Sequence, residues 1–363
     1  MVERYRHSDV GRLIWNAAYG DMITYPSKVG YLFSDGEDGV GSEGQWQETE
    51  SYQRLISKGI IPAEVAAEHA HRIGIKFDIY FRMALQGSTP PARAFPKSFV
   101  RRHPEFRIVA KDGTPVPKAS YAFPQTRKFM LSLIHEATDR FNVDGVSLCF
   151  TRGPAYVGYE QPVIDDFKKR YGEDPREVKE DDPRLMQLQA GYVTELVRGA
   201  RQLVDEIGTK KGKKIQLSVQ VSYRQGKNLY WNMDVETWLK EGLLDVVIHG
   251  ATGKFYELVK SHGCKTYYNI GARTPENYVK EGLTGMRQGA DGIFMWDLHY
   301  YQDNVVDWKI IKQLGHRQVM EGWEKKLPGD PAPTWTLLTV DGVDVTKTTT
   351  NENGKILWLF SGG

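Results

Sequence analysis

The sequence predicts an α/β protein with a (β/α)8, TIM-barrel-like core, and three observations predict it. Amphipathic stretches of helical period alternate along the chain with short runs of β-branched and aromatic residues. Those runs read as apolar and non-alternating, as strands of a parallel sheet covered by helices do. Neither GxGxxG nor GxxxxGK followed by Ser or Thr directly follows any of these runs, which counts against a doubly wound nucleotide-binding fold.

The elements follow in order. GRLIWNAAYG (11–20) is a free first strand. Helix PAEVAAEHAHRIG (62–74) leads into strand IKFDIYFRM, and QTRKFMLSLIHEATDRFNV (125–143) leads into DGVSLCFTR. The long RLMQLQAGYVTELVRGARQLVDEIG (184–208) precedes KIQLSVQVSYR, and DVETWLKEGL precedes LDVVIHGA. KFYELVKSHG feeds CKTYYNIGAR, and ENYVKEGLTGMRQG feeds ADGIFMWDLHY, with a last helix near VVDWKIIKQLGHRQVMEGW (305–323). Seven strands are too many for a small flavodoxin-like sheet and suit a barrel. An eighth needs a further β/α unit, expected upstream of Met1 as the missing first unit. After LPGDPAPT (327–334) come alternating β runs with a DG turn, WTLLTVDGVDVTKTTT and GKILWLFSGG, which predict a C-terminal β segment. The chain therefore divides into a barrel over 1–326, and a linker with the start of a β domain over 327–363.

Lys and Arg number 48 against 46 Asp and Glu, so the formal charge of +2 suggests no nucleic-acid partner. No run approaches the ~18 apolar residues of a membrane span, and the N-terminus MVERYRHSDV lacks an apolar leader. The chain reads as a soluble mature or shortened protein. Cys149 and Cys264 both sit in apolar runs and read as buried thiols, which leaves no disulfide framework and no Cys-based zinc site. Aromatic residues make up 12% of the chain, which suggests shaped loops over a rigid scaffold.

In such a barrel function sits at the carboxyl ends of the strands. That rule selects Asn16, Tyr19, Asp21 and Tyr25, then Arg82, then Thr151, Arg152, Tyr156, Tyr159 and Glu160. Later strands add Tyr223, Arg224, His249, Tyr268, Asn269, Trp296, Asp297, His299 and Tyr300. Aromatic, amide, guanidinium and carboxylate groups of this kind suit a sugar, whose C–H faces stack on rings while its hydroxyls hydrogen-bond. GxSxG and HExxH are absent, which counts against triad acyl transfer and a zincin site.

Glycoside hydrolysis needs an acid and a second carboxylate. Asp297, ending an apolar strand, is the strongest candidate, or else it pairs with an arginine across the mouth. Glu160 is either the partner acid or an acidic helix-start residue. Asp21 stands in reserve, or caps a loop. Arg82 and Arg152 either hold a carboxylate or sulfate on an acidic sugar or neutralise one of these acids. His249 and His299 are sugar-binding or hydrogen-bonded structural residues. Asp144 and Asp291 begin strands at the opposite end and read as stability residues, while His69 and His71 lie on a helix.

At WNAAYGDMITYPSKVG, GIKFDIYFRM, FNVDGVSLCFTRGP with YEQPVIDDFKKRYGEDPRE, and GADGIFMWDL, the chain resembles the bacterial family 10-like glycosyl hydrolases. The resemblance spans roughly residues 12–320 and implies a TIM-barrel core. Relatives often carry acids in the strand that reads VSLCFTR here, in a form like DGIELDFMR. Ser147 and Cys149 stand at those positions, while Arg152 is kept.

The expectation is a glycoside hydrolase acting by carboxylate acid/base catalysis on a poly- or oligosaccharide, acidic ones included, without a cofactor. Asp297, Glu160 and Asp21 are its catalytic candidates. Arg82, Arg152, Tyr25, Tyr159, Asn269, Trp296, His299 and His249 are its binding candidates. The first rival is a barrel that binds a carbohydrate without cleaving it, favoured if no two carboxylates at the mouth lie within about 10 Å. The second is a metal-assisted hydrolase or lyase using His249, Asp297 and His299.

Overall fold

The computed structural model describes residues 2–32, 43–86, 97–222, 225–251, 253–271, 275–296, 311–325 and 355–360, with the side chains of 43–48, 225–227, 275–276 and 355–360 left aside. Its centre is a parallel sheet of eight strands. They are β1 (Val10–Tyr19), β2 (Lys76–Arg82), β3 (Gly145–Cys149), β4 (Gln216–Gln220), β5 (Val246–His249), β6 (Lys265–Ile270), β7 (Gly292–Met295) and β8 (Lys355–Phe360). Each pairs with the next, and β8 pairs in parallel with both β7 and β1, so the sheet closes on itself. The eighth place is thus filled from KILWLF rather than from a unit before Met1. Residues 355–360, expected to open a separate β domain, belong to the barrel sheet instead. The run is largely apolar, as a buried parallel strand requires, but it stands alone after a long interval without the helix–strand rhythm of the others.

Strand period sorts the side chains into two layers. One set, with Ile14, Tyr80, Cys149, Val246, Ile248, Tyr267 and Phe294 buried together, fills the barrel interior. The other set packs outward on the helices: Leu13, Phe77, Ile79, Val146, Leu148 and Val247 lie in one continuous core with Ala66, Ala70, Met130, Leu133, Ile134, Val193 and Leu196. Those last seven fall on the inner faces of helices Pro62–Arg72, Pro124–Arg140 and Pro183–Lys210. Each of these three helices starts at a proline, whose fixed φ suits a first turn and whose missing N–H costs nothing there.

The amino ends of the strands are tied by a repeated device. Asp144, Asp245 and Asp291 each stand just before or at the start of a strand and reach back to the strand before it. Their carboxylates accept from Phe77 N at 2.8 Å, Leu217 N at 2.9 Å and Thr266 N at 2.9 Å. Their own N–H groups donate to the carbonyls of the same three residues. Each aspartate thereby satisfies a backbone donor that the edge of the pleat would leave unpaired. The stability role expected for Asp144 and Asp291 is what these bonds provide.

Inside this end, Arg12 donates to the Asp78 carboxylate and to the Gln216 side chain, closing the barrel floor. Gly145 makes room for that pair, since a Cβ there would stand 2.6 Å from the Asp78 carboxylate. At the opposite end, the strand Arg107–Val109 and the strand Pro115–Ala119 form an antiparallel hairpin that leans over the loops after β2 and β3. Its turn is Asp112–Gly113, with Thr114 N donating to Asp112 Oδ1 at 2.9 Å.

Candidate functional site at the barrel mouth

The carboxyl ends of the strands carry polar side chains that point into the barrel and lack protein partners among the described residues. Asn16 on β1 is 0% exposed and Gln220 on β4 is 1% exposed, and neither side-chain oxygen nor nitrogen of either residue has a partner. Asn269 Oδ1 on β6, Ser147 Oγ on β3 and Arg82 Nε on β2 share that state. A neutral polar group buried without a hydrogen bond costs about 1–3 kcal/mol. Several such groups gathered at one end of a barrel make a surface built to be completed by a ligand.

The register places these groups around one opening. Asn16 lies level with Tyr80 and Ser147, and Arg82 lies level with Cys149 and Gln220. The Tyr80 hydroxyl faces the Cys149 thiol, and burial holds it well above its ordinary pKa, so it stays a neutral phenol. Trp296, just past β7, meets the rings of Tyr80 and Phe294 edge-on at 6.0 and 5.3 Å. The Arg152 guanidinium lies 5.1 Å above the Trp296 ring, and that of Arg82 lies 4.5 Å above the Tyr19 ring. Cys149 Sγ sits 3.3 Å from Thr151 Oγ1. The turn that carries Arg152 is pinned by Lys118 of the hairpin, whose ammonium donates to Gly153 O and Pro154 O at 3.2 Å each. Gly153 has φ +79°, and a Cβ there would also press on Gln86 and Ala84, so the tight approach of this turn to the end of β2 requires glycine.

Of the residues expected at the site, Arg82, Arg152, Asn269 and Trp296 come together here. Glu160 does not. It is 1% exposed, and its carboxylate accepts from Gly158 N at 3.0 Å and Val109 N at 3.2 Å, bracing the hairpin against the loop after β3. Burial pushes its pKa up to about 7 against the pull of those N–H groups. The helix-start reading is therefore the better one, since Glu160 caps Gln161–Tyr171 by position. Asp21 is likewise 1% exposed and accepts from Phe99 N at the first turn of Phe99–Arg102. Burial pushes its carboxyl up to about 6, and it serves as the loop cap that was its alternative.

Tyr25 lies outside the barrel. Its hydroxyl donates to Glu136 Oε2 at 3.3 Å, and its ring meets Phe141 edge-on at 4.9 Å. Tyr159 is largely buried and ties its N–H to Val109 O at 2.8 Å, behind the hairpin. His249 faces outward, level with Tyr268, against Phe255 and Tyr256. Its Nδ1 accepts from Ala251 N at 3.1 Å and its Nε2 lies 2.6 Å from Thr266 Oγ1. Burial lowers its pKa to about 4, so it is a neutral hydrogen-bonded core histidine. Asp297 and His299 lie outside the described residues. Among the described residues no cluster of three or more His, Cys, Asp or Glu side chains could hold a metal ion. Nor, among them, is any helix long and apolar enough to cross a membrane.

The strand-end rule names Asn16 and Tyr19 without giving them a role, and misses Tyr80, which lies inside β2, and Gln220, which ends β4 but lies within the longer run KIQLSVQVSYR. The signal for Gln220 is in the sequence: Gln216, Ser218, Gln220 and Ser222 alternate with Leu217, Val219 and Val221, the pattern of a strand with one polar face.

The fold and this geometry can be set beside known proteins. The glycoside hydrolase domain of PgaB (BpsB) from Bordetella bronchiseptica superposes with a TM-score of 0.56 at 12% identity, over 86% of this chain and 91% of that one. Alpha-L-fucosidase isoenzyme 2 from Paenibacillus thiaminolyticus gives a TM-score of 0.56 at 13% identity, over 89% of this chain but 46% of its own length. At such identities the likeness is one of fold. No curated protein sequence matches. The sequence model described as glycosyl hydrolase-like 10 matches residues 40–254, which is more than half of the chain and includes β2 through β5 with the mouth residues Tyr80, Arg82, Cys149, Arg152 and Gln220. On that match the chain belongs to the glycosyl hydrolase-like 10 family.

Proposed function

We propose that the barrel mouth binds a saccharide. One observation carries this reading: the buried amides of Asn16 and Gln220 and the Oδ1 of half-buried Asn269, unpartnered among the described residues, converge with the indole of Trp296 at the carboxyl end of a closed barrel. Amides offer both donors and acceptors to hydroxyl groups, and an indole offers a face to sugar C–H groups. Asn16, Gln220 and Asn269 stand on strands rather than loops, so these groups are in place before any ligand arrives, which lowers the ordering cost of binding. A panel of oligosaccharides, titrated calorimetrically, tests the reading. Trp296→Ala and Gln220→Met should each weaken binding about tenfold, the loss of about one good contact, with little change in thermal stability. Binding that survives both substitutions would place the ligand elsewhere.

Glycoside hydrolysis by a carboxylate pair is the second reading, favoured by family membership. Its acid would be Asp297, which follows Trp296 directly in sequence. Its partner is neither Glu160 nor Asp21, because both carboxylates are consumed by backbone N–H groups away from the mouth. Ser147 and Cys149 face the interior where relatives in the resemblance carry acids, which supports binding over cleavage. Release of reducing ends from a bound oligosaccharide, abolished by Asp297→Asn with binding retained, would decide for hydrolysis.

A further inference from the structure

The mouth holds positive charge without a matching carboxylate among the described residues, and the inference from it rests on the saccharide reading. Several arginines elsewhere in the protein are paired with carboxylates: Arg12 with Asp78, Arg127 with Glu195, Arg140 with Glu64, Arg184 with Glu173 and Asp182, and Arg201 with Asp205 and Asp245. Half-buried Arg82 and exposed Arg152 are instead set against aromatic faces, and Arg82 Nε is buried with no acceptor among the described residues. Tyr19 and Trp296 each cover one face of a guanidinium and leave its N–H edges to other partners, the arrangement that suits in-plane, bidentate recognition. Arg82 follows Tyr80 on the same face of β2, and Arg152 lies over the Trp296 ring that meets Tyr80 edge-on, so both cations stand on the Tyr80 side of the mouth.

We propose that Arg82 and Arg152 form an anion subsite, and that the saccharide taken by the mouth carries a carboxylate or sulfate group held between them. The two oxygens of a carboxylate, or two of a sulfate's oxygens, satisfy the fork geometry of a guanidinium with two parallel hydrogen bonds. Buried neighbours such as Tyr80 and Cys149 lower the local dielectric and strengthen that attraction. The unpartnered amides of Asn16 and Gln220 then take the hydroxyls of the same sugar. Lys118 is a positioning residue: by holding the carbonyls of Gly153 and Pro154 it fixes the turn on which Arg152 stands.

The test measures binding of three probes to the full chain at fixed ionic strength: a galacturonic acid oligosaccharide, a sulfated galactan oligosaccharide and a neutral galactan oligosaccharide. The proposal expects at least one anionic probe to bind more tightly than the neutral one. Arg82→Ala and Arg152→Ala should each cost that probe about tenfold or more in affinity, the loss expected when a charge-assisted pair of hydrogen bonds is removed. They should leave the neutral probe within about twofold. Arg152→Lys, which keeps the charge but not the fork, should recover only part of the loss. Preference for the carboxylate or the sulfate probe identifies which oxyanion the subsite takes. Equal binding of neutral and anionic probes, equal losses for both on arginine substitution, or no binding of either anionic probe overturns the anion subsite. Binding of the neutral probe that Trp296→Ala weakens would, in each of those cases, leave the saccharide reading standing. Circular dichroism melts of the variants guard against a loss caused by unfolding.

Discussion

The two ends of the barrel use polar residues in opposite ways. At the amino end the polar groups that close the floor and tie the strands have partners: Arg12 with Asp78 and Gln216, and the three strand-start aspartates with the backbone of the strand before them. At the carboxyl end Asn16, Gln220, Asn269 and Arg82 are just as much part of the barrel interior, yet key atoms of each stand without a protein acceptor or donor among the described residues. Burial is similar and the chemistry is similar, so the difference lies in completion. A polar group whose partner is in the protein adds to folding stability, and one whose partner is absent subtracts from it until a ligand arrives. The same residue type therefore reads as structure at one end and as recognition at the other.

The most forceful way to break this comparison is to remove a partner at the amino end. Arg12→Met would leave the Asp78 carboxylate buried and uncompensated, and should cost about 3–5 kcal/mol in a urea denaturation. A loss below about 1 kcal/mol would mean that the floor is no more committed to stability than the mouth is.

Glu160 sharpens the comparison through pH. Its carboxyl is raised from 4.5 to about 7 in the folded protein, chiefly by burial. The folded state therefore holds this proton more tightly than the unfolded chain does. That contribution is fully present below pH 4.5 and is lost as the pH rises through 7, with an upper limit of about 3 kcal/mol. Stability relative to Glu160→Gln should accordingly fall between pH 5 and pH 8. A flat or rising difference would mean that the Gly158 and Val109 N–H groups hold the carboxylate ionised throughout.

Much of the fold is legible in the sequence because helix period and apolar runs report burial directly. All seven internal strands fall where the runs do. The eighth was misplaced because its run, KILWLF, follows a β-like stretch instead of a helix, and only closure of the sheet reveals its partners. The hairpin at 107–119 carries a DG turn, but its strands are too short and too polar to stand out from the loops around them. For the site, position along a strand was legible and direction was not. Tyr25, Tyr159 and His249 follow or end strands as Arg82 and Trp296 do, yet their side chains turn outward or lie beneath a loop. Glu160 and Asp21 are acids in loops after strands whose Val109 and Phe99 N–H partners come from segments 51 and 78 residues away, contacts that no local pattern encodes. The chain's family resemblance was legible too, and the family match supports it.

A matched pair of substitutions makes the finest test. Asp291→Ala deletes the acceptor of Thr266 N at the amino end, while Gln220→Met deletes a similar number of polar atoms at the mouth and keeps the side-chain volume. The first leaves a backbone donor unpaired at a strand edge and should cost about 1–3 kcal/mol, most of it recovered by Asp291→Asn, whose amide oxygen can still accept. The second removes a group that has no partner among the described residues, so no hydrogen bond within them is lost and an unmet desolvation is relieved. It should change stability by less than about 1 kcal/mol, in the stabilising direction if at all, because a thioether suits the apolar surroundings of Tyr267 and Ile248. Equal losses from the two variants would show that Gln220 has a structural partner, and the mouth would then be finished in the same way as the floor.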